Sequence, residues 1–347
     1  MIATTYRTRS ELIDRFQAAL SRDELRCMLH GRRRDERGAF ARSVVEGLEN
    51  DPPKLDCRYL YDARGSALFE QITAQPEYYP TRTEAAILSR HARDIIEATG
   101  AARFMELGSG SAEKTGRLLD AAAARGGELT YVPVDVSEEA LHAAGAAVAR
   151  EHRNARVIAL NATYEEAFPL FEDLSPLLCL FLGGTVGNFP PPQADLFWTE
   201  VTYALHPRDH FLVGVDLVKN RDRLEQAYND AAGVTAEFTK NLFVRMNREL
   251  GSGVDVRGLR HEARFDEAQE QIEIHAHFTA EQSIGVKSLE WERCFEAGSR
   301  VLVEISRKFR LDRFPNYLAG FGLQTRAIYT DAHHDFALLL LQRGNRA

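Results

Sequence analysis

The sequence predicts an α/β protein: a mostly parallel sheet covered by helices on both faces, closed by an antiparallel hairpin and joined by a smaller α+β domain. Three observations carry this expectation. Short apolar segments alternate with helix-like ones through the middle of the chain. The C-terminal stretch reads as two strands around a tight turn, and a long insertion before it breaks the alternation.

The alternating segments are RFMEL (103–107), YVPVD (131–135), RVIAL (156–160), LCLFL (178–182) and FLVGVD (211–216), all rich in branched or aromatic residues. Helix-like stretches lie between them, among them 112–124 and 137–152, the second opening on Ser137 as an N-cap. Strand, helix, strand at this rhythm gives βαβ units and a parallel sheet buried on both faces. The end of the chain, LQTRAIYT (323–330), a turn at 331–334 and DFALLLLQ (335–342), reads as an antiparallel pair. A parallel sheet closed in this way is the arrangement of Rossmann-like class I methyltransferase cores rather than of dinucleotide dehydrogenases, an argument by analogy of fold.

Two segments fall outside this pattern. One is the N-terminal part up to about Arg82. The other runs from about Lys219 to Lys308, with helix-like 221–232 and 235–250 and strand-like 271–278 and 300–306. An insertion of that length is too long for a structureless loop. The expected division is therefore a core of 83–218 and 309–347, a substrate-binding domain of 30–82 and 219–308, and an N-terminal extension of 1–29.

A chain of 347 residues is comfortable for two domains. Its 44% hydrophobic and 27% charged residues are those of a folded globular protein. A net charge of −8 argues against a nucleic-acid partner, because phosphate binding needs a basic surface. Cys27, Cys57, Cys179 and Cys294 are scattered and form no C-x-x-C pair, and the N-terminus is not signal-like, so a reducing cytoplasm is expected. The longest apolar run, 177–186, is too short to span a bilayer and reads as a buried strand. No extended apolar stripe demands an oligomer, and a monomer is expected.

The strongest local signal is ELGSGSAEKT (106–115), a glycine-rich turn between a strand and a helix. Gly108 and Gly110, with Ser109 between them, let the backbone turn tightly and approach a ligand, and the next helix offers its N-terminal amides to a polar group. The nicotinamide fingerprint wants a third glycine at position 113, where Glu113 stands, and the departure favours S-adenosylmethionine over NAD. Asp135, at the tip of the next strand, either accepts from both hydroxyls of a ribose or serves as the N-cap of the helix after it.

Further motifs sharpen the reading. YDARGSALFEQIT (61–73), PEYYPTRTE (76–84), GGTVGNF (183–189), DLVK (216–219), AYND (227–230), NREL (247–250) and EIS (304–306) follow in this order. From about Leu55 to the C-terminus the chain resembles the histidine Nα-methyltransferases, the hercynine-forming enzymes of ergothioneine biosynthesis. The resemblance implies three successive methyl transfers from S-adenosylmethionine to the α-amino nitrogen of L-histidine. It places Gly108, Lys114 and Asp135 on cofactor-binding positions, and Thr163 and Tyr164 at the adenine, where the family usually has Asp-Phe. Asn188 and Tyr228 fall where the family holds the carboxylate and amine, Tyr61 and Tyr78 on aromatic hydroxyls near the substrate, and Glu304 and Ser306 on the imidazole-reading pair. Ile274 stands where Met is usual against the ring.

The chemistry is consistent with these residues. Methyl transfer is an in-line displacement that needs no metal, only a nitrogen held close to the methyl and collinear with sulfur. The amide of Asn188 can donate to the carboxylate and leave its oxygen free for the amine, and Tyr61, or ordered water, could accept or relay the proton. Glu304 and Ser306, two apart on a strand, share one face, with Val303 and Ile305 turned the other way into the core. A carboxylate beside a hydroxyl suits the two nitrogens of an imidazole. Without the resemblance, each assignment has a plainer counterpart: a solvated strand face for Glu304 and Ser306, packing at a turn for Tyr78 and Tyr79, a left-handed turn residue or helix cap for Asn188.

The remaining features read plainly. His275 and His277, lacking a third ligand, are expected at the surface. His333 and His334 are expected solvated in the closing turn, the Arg32–Arg34 run is a charged surface segment, and the cysteines are structural. Three alternatives stay open: the same scaffold acting on the amine of another aromatic amino acid or an indole-type substrate, a non-catalytic adenosyl-binding regulatory module, and, more distantly, a nicotinamide oxidoreductase.

Overall fold

The computed structural model describes residues 5–6, 9–21, 25–32, 35–110 and 112–344. Arg33 and Arg34 of the basic run, and Ser111 in the glycine-rich stretch, lie outside the described residues. The chain divides into two compact units. The first comprises Met1–Arg33, Arg82–Leu217 and Phe309–Ala347, the second Arg34–Thr81 and Val218–Lys308. Among the described residues no helix is long and apolar enough to cross a membrane.

In chain order the strands are β1 (Thr5–Tyr6), β2 (Arg26–Arg32), β3 (Arg103–Leu107), β4 (Thr130–Asp135), β5 (Arg156–Asn161), β6 (Leu178–Phe181) and β7 (His210–Asp216). The insertion adds β8 (Leu259–Asp266), β9 (Gln271–Phe278), β10 (Gln282–Val286), β11 (Trp291–Phe295) and β12 (Arg300–Arg307). The closing pair is β13 (Leu323–Thr330) and β14 (Phe336–Arg343).

In the first unit nine strands form one sheet in the order β1-β2-β5-β4-β3-β6-β7-β14-β13. From β1 to β7 every neighbouring pair is parallel. β14 runs antiparallel to both its neighbours, β7 and β13. The alternating residues of each strand feed two separate cores: Met105, Val132, Cys179 and Phe211 pack into one, Phe104, Tyr131, Leu180 and Leu212 into the other. That is why these strands read as continuous apolar runs rather than as alternating ones. The chain leaves β3 towards β4 and β5 on one side and returns to β6 and β7 on the other. The carboxyl ends of β3 and β6 therefore flank the point where strand order reverses, the usual ligand position in open α/β sheets.

The segment read as an N-terminal extension supplies helix Arg9–Ser21 and strand β2, which pairs in parallel with β5 from Arg26↔Val157 to His30↔Asn161. Its ends are basic and its middle is apolar, the composition of a strand near the edge of a sheet rather than at its centre. The helix expected over 112–124 spans only Gly116–Ala123, because residues 108–115 are used by the turn and Ala112 itself has φ 57°.

In the second unit β12, β9 and β8 form a three-stranded antiparallel sheet, and β10 and β11 a separate hairpin. Helices Glu36–Glu49, Ala63–Thr73 and Val234–Leu250 contribute Phe40, Ile72 and Phe243 to a core shared with Ile272, Ile274 and Val303 of the sheet. The helix expected over 221–232 stops at Gln226. After the turn that follows, Asp230 accepts from the amides of Val234 (2.7 Å) and Thr235 (2.8 Å), starting the next helix.

His275 and His277 depart from expectation. His275 is buried and His277 half-buried, with its Nε2 2.8 Å from Glu262. Both lie on the face of β9 opposite Ile274 and Ala276, where charged side chains of β8 shield them. His333 and His334 are exposed in the closing turn, as expected.

Candidate active site

The glycine-rich turn leaves β3 with its amides tied back to β4: the N–H groups of Gly108 (2.8 Å) and Ser109 (3.3 Å) donate to the Val134 carbonyl. Gly108 has φ 72°, and a Cβ there would stand 3.0 Å from the Tyr164 hydroxyl. Both the backbone conformation and the close approach demand glycine. Gly110 also has a positive φ (48°) and donates at 3.3 Å to Asp135. Among the described residues the buried Ser109 hydroxyl has no hydrogen-bond partner.

Glu106, the last polar residue of β3, organises this turn and was quoted in the motif without a role. It is buried, accepts from the Thr115 hydroxyl at 2.6 Å, and accepts a further bond from the Tyr131 hydroxyl. Burial outweighs these bonds and pushes its carboxyl up to about 7. Thr115 begins the following helix and Tyr131 lies on β4, so one carboxyl joins strand, turn and helix.

Asp135, at the end of β4, accepts from Ser137 N–H at 2.9 Å as well as from Gly110. The helix that follows is capped by Ser137, whose hydroxyl accepts from Ala140 N–H at 3.2 Å. Asp135 is thus not the helix cap. Burial raises its pKa against the pull of its backbone bonds. Thr163 opens the short helix Tyr164–Ala167, and its amide donates to Glu166 at 3.0 Å. Tyr164 packs edge-on to Phe181 at 5.5 Å, with its hydroxyl over the Gly108 turn.

Lys114 is engaged with the protein itself. Its ammonium donates to Glu84, which is wholly buried and also accepts from Gly183 N–H at 2.9 Å through both oxygens. A Cβ at Gly214 would fall 2.1 Å from Glu84, so β7 keeps a glycine to admit that carboxylate. The Glu84 that ends PEYYPTRTE is therefore a buried brace tying Lys114 to the loop after β6. That loop turns through Gly183 and Gly184, both left-handed, into the 3-10 turn Thr185–Asn188. Asn188 is half-buried at its end. It lacks a left-handed conformation and the next helix is capped by Pro190, so neither plainer reading applies to it.

In the second unit, contacts connect most of the expected substrate residues. Tyr61 stands edge-on to Phe69 (5.5 Å) and Phe238 (5.4 Å), Phe69 to Tyr78 (6.3 Å), and Tyr78 to Tyr228 (5.9 Å). Edge-to-face rings hold one another's orientation as well as burying area. The corner at Tyr61 is fixed by its neighbour Asp62, which caps helix Ala63–Thr73 through Gly65 N–H (2.8 Å) and accepts from Asn241 and Arg248, both at 2.7 Å. Burial pushes the Asp62 carboxyl up, but bonds from Arg248, Gly65 and Asn241 outweigh it and hold it low.

Tyr228 reaches β12, where its hydroxyl lies 2.9 Å from the Ser306 hydroxyl. Lys308, which the sequence reading overlooked, donates to both, at 2.8 Å to Tyr228 and 2.9 Å to Ser306. Its ammonium also sits 4.7 Å from the centre of the Tyr228 ring. Positions 304, 306 and 308 alternate in the sequence and carry the signal that was missed. Glu304 and Ser306 do share a face, but it is the inner one: they pair with Ile274 and Ile272, which belong to the core. The register shifts between Leu302 and Glu304, so Val303 is the extra residue of a bulge. Val303 still reaches the core, whereas Ile305, opposite Glu273, faces away from it, against expectation. A bulge re-aims the side chains that follow it, here turning a carboxylate and a hydroxyl inwards. The thiol of Cys57 lies close enough to Glu304 that, after burial, this carboxylate is the next cause raising its pKa.

A family model described as a histidine-specific, SAM-dependent methyltransferase matches residues 40–343. Histidine N-alpha-methyltransferase of Mycolicibacterium smegmatis is 41% identical over 307 residues, 88% of this chain and 95% of that protein. Its namesake from Mycobacterium tuberculosis is 39% identical, over 87% and 94% respectively. More distantly, L-tryptophan methyltransferase of Psilocybe serbica is 26% identical, over 87% and 92%. The chain belongs to the histidine-specific, S-adenosylmethionine-dependent methyltransferase family.

Proposed function

We propose that this enzyme methylates the α-amino nitrogen of L-histidine three times in succession, giving the trimethylammonium betaine hercynine, the first step of ergothioneine biosynthesis. The observation that carries the substrate assignment is a carboxylate and a hydroxyl side by side against an apolar core. Glu304 and Ser306 lie on the inner face of β12 opposite Ile274 and Ile272, with Tyr228 and Lys308 bonded to Ser306. Such a pair suits an imidazole, one group for each ring nitrogen.

The cofactor residues fit the adenosyl group. Asp135 accepts from its ribose hydroxyls, the Ser109 hydroxyl faces the same ligand, and Gly108 and Gly110 allow close backbone approach. Thr163 and Tyr164 border the adenine, and Lys114, held by Glu84, is a further cofactor-binding residue. When bound, S-adenosylmethionine supplies a methyl carbon already activated by its sulfonium.

The protein's contribution is orientation and proton handling. Asn188 and Tyr228 hold the amino-acid carboxylate and amine, and Glu304 and Ser306 hold the ring, so the nitrogen presents its lone pair along one line. Tyr61, clamped between Phe69 and Phe238, accepts or relays the proton that the substrate ammonium must lose before attack, and Tyr78 lines the same aromatic row. The reading takes the enzyme as a cytoplasmic monomer acting on a free amino acid, without nucleic acid. Its net charge of −8 is in keeping with the absence of a nucleic-acid partner.

Ile274, directly opposite Glu304, is the one residue that favours a second reading, an aromatic amine larger than histidine. Incubation with S-adenosylmethionine and L-histidine, L-tryptophan or L-tyrosine, read by mass spectrometry, separates the two. Addition of three methyls to histidine alone is expected, and methylation of another amino acid with histidine untouched would overturn the assignment.

A further inference from the structure

The buried triangle of Lys308, Tyr228 and Ser306 has a hydrogen-bond polarity that can be worked out atom by atom. The Lys308 ammonium has only donors, so it donates to both hydroxyl oxygens, at 2.8 Å and 2.9 Å. One hydroxyl must then donate to the other across the 2.9 Å between them. A phenol is the more acidic O–H and its oxygen the poorer acceptor, so Tyr228 donates and Ser306 accepts. Ser306 thereby receives two bonds, which fill both lone pairs, and its own proton is left to point at a ligand.

We propose that Lys308 is a positioning residue for substrate recognition: with Tyr228 it fixes Ser306 as an obligate donor, so that the imidazole meets Ser306 with its unprotonated nitrogen and Glu304 with its N–H. The inference rests on the imidazole reading above and deepens it. It explains why a lysine, 4% exposed, is kept beside β12, where burial of an ammonium is costly. It also gives the site a sense of direction: Ser306 donates, Glu304 accepts, and a ring lacking either complement forfeits that bond.

The experiment is a double-mutant cycle on the full chain. Steady-state constants for L-histidine at saturating S-adenosylmethionine are measured for wild type, Ser306→Ala, Lys308→Met and the double variant, with urea unfolding of each as a control. Each single change is expected to raise KM for histidine about tenfold or more while kcat and cofactor affinity stay within about threefold, as for loss of a buried hydrogen bond. The double variant is expected to be no worse than the poorer single, because Lys308 acts through Ser306. Lys308→Gln keeps an N–H donor and is expected to recover most of the KM, and Lys308→Ala replaces Lys308→Met in the cycle should that variant not fold. An unchanged histidine KM in Lys308→Met or its replacement, or effects that simply multiply in the double, would overturn the role of Lys308 and leave the imidazole reading standing. An unchanged KM in Ser306→Ala, with histidine still methylated, would overturn the imidazole reading itself.

Discussion

The turn after β3 and the inner face of β12 both present polar groups beside an apolar core, by opposite means. The turn works through backbone: glycines in left-handed conformations, amides tied to Val134, and a carboxylate, Asp135, held by two N–H groups. The β12 face works through side chains, aimed by a bulge and by a buried lysine. A ligand common to a whole class of enzymes can be held by a backbone that varies little. A ligand peculiar to one enzyme needs side chains, which can be exchanged one at a time. Changes at the turn should therefore abolish activity towards every substrate, and changes on β12 should alter which substrate is used.

The largest effect is expected from Asp135→Ala. Loss of the charged acceptor for the ribose should cut cofactor affinity by about 100-fold or more, measured by isothermal titration, since bonds to charged groups are worth about 1.5–3 kcal/mol each. Near-normal cofactor binding would remove Asp135 from the site. Next comes Glu304→Gln, which keeps the shape but makes one end of the group a donor. KM for histidine should rise about 10- to 100-fold with cofactor affinity unchanged, and an equal fall in affinity for both would erase the contrast between the regions.

Glu106 sharpens the comparison through stability. Its carboxyl is raised to about 7 in the fold. The folded state then holds this proton more tightly than the unfolded chain, so the group costs stability as pH climbs from the ordinary carboxylate range through 7. Over that window wild type should lose up to ~3 kcal/mol relative to Glu106→Gln, judged by urea midpoints at pH 5 and pH 8. Parallel curves for the two proteins would show that Glu106 does not carry this proton. The smallest effect is expected at Asp62→Ala. Losing a helix cap costs about 1 kcal/mol, seen as a modest fall in Tm, and the slackened Tyr61 corner should lower kcat more than it raises KM for histidine.

Much of the first region was legible in the sequence. β3 to β7 are buried on both faces, so their apolar runs stand out, and the Gly108–Gly110 turn lies where strand gives way to helix. The roles of Glu84 and Glu106 were not legible, although both stood inside quoted motifs. Charge in a motif reads as ligand chemistry, and nothing in a linear pattern says that a carboxylate is buried against a glycine on β7. In the second unit, β10 and β11 are short and carry polar residues in alternation, which left no run to notice. On β12 the resemblance supplied Glu304 and Ser306, yet the bulge at Val303 reversed the expected inward face, because one extra residue leaves no mark on composition. Lys308 was passed over because a lysine next to a strand end ordinarily lies in water.

The central claim is that the β12 face reads an imidazole by its two nitrogens. The most direct test compares kcat/KM for L-histidine with that for L-β-(2-thienyl)alanine, whose five-membered aromatic ring has neither an N–H nor a ring nitrogen. The account predicts discrimination of roughly 10⁴-fold, as in sites that leave buried polar groups unpaired against the wrong ligand. Turnover of the thienyl compound within about tenfold of histidine would mean that ring shape, not its nitrogens, is what this enzyme recognises.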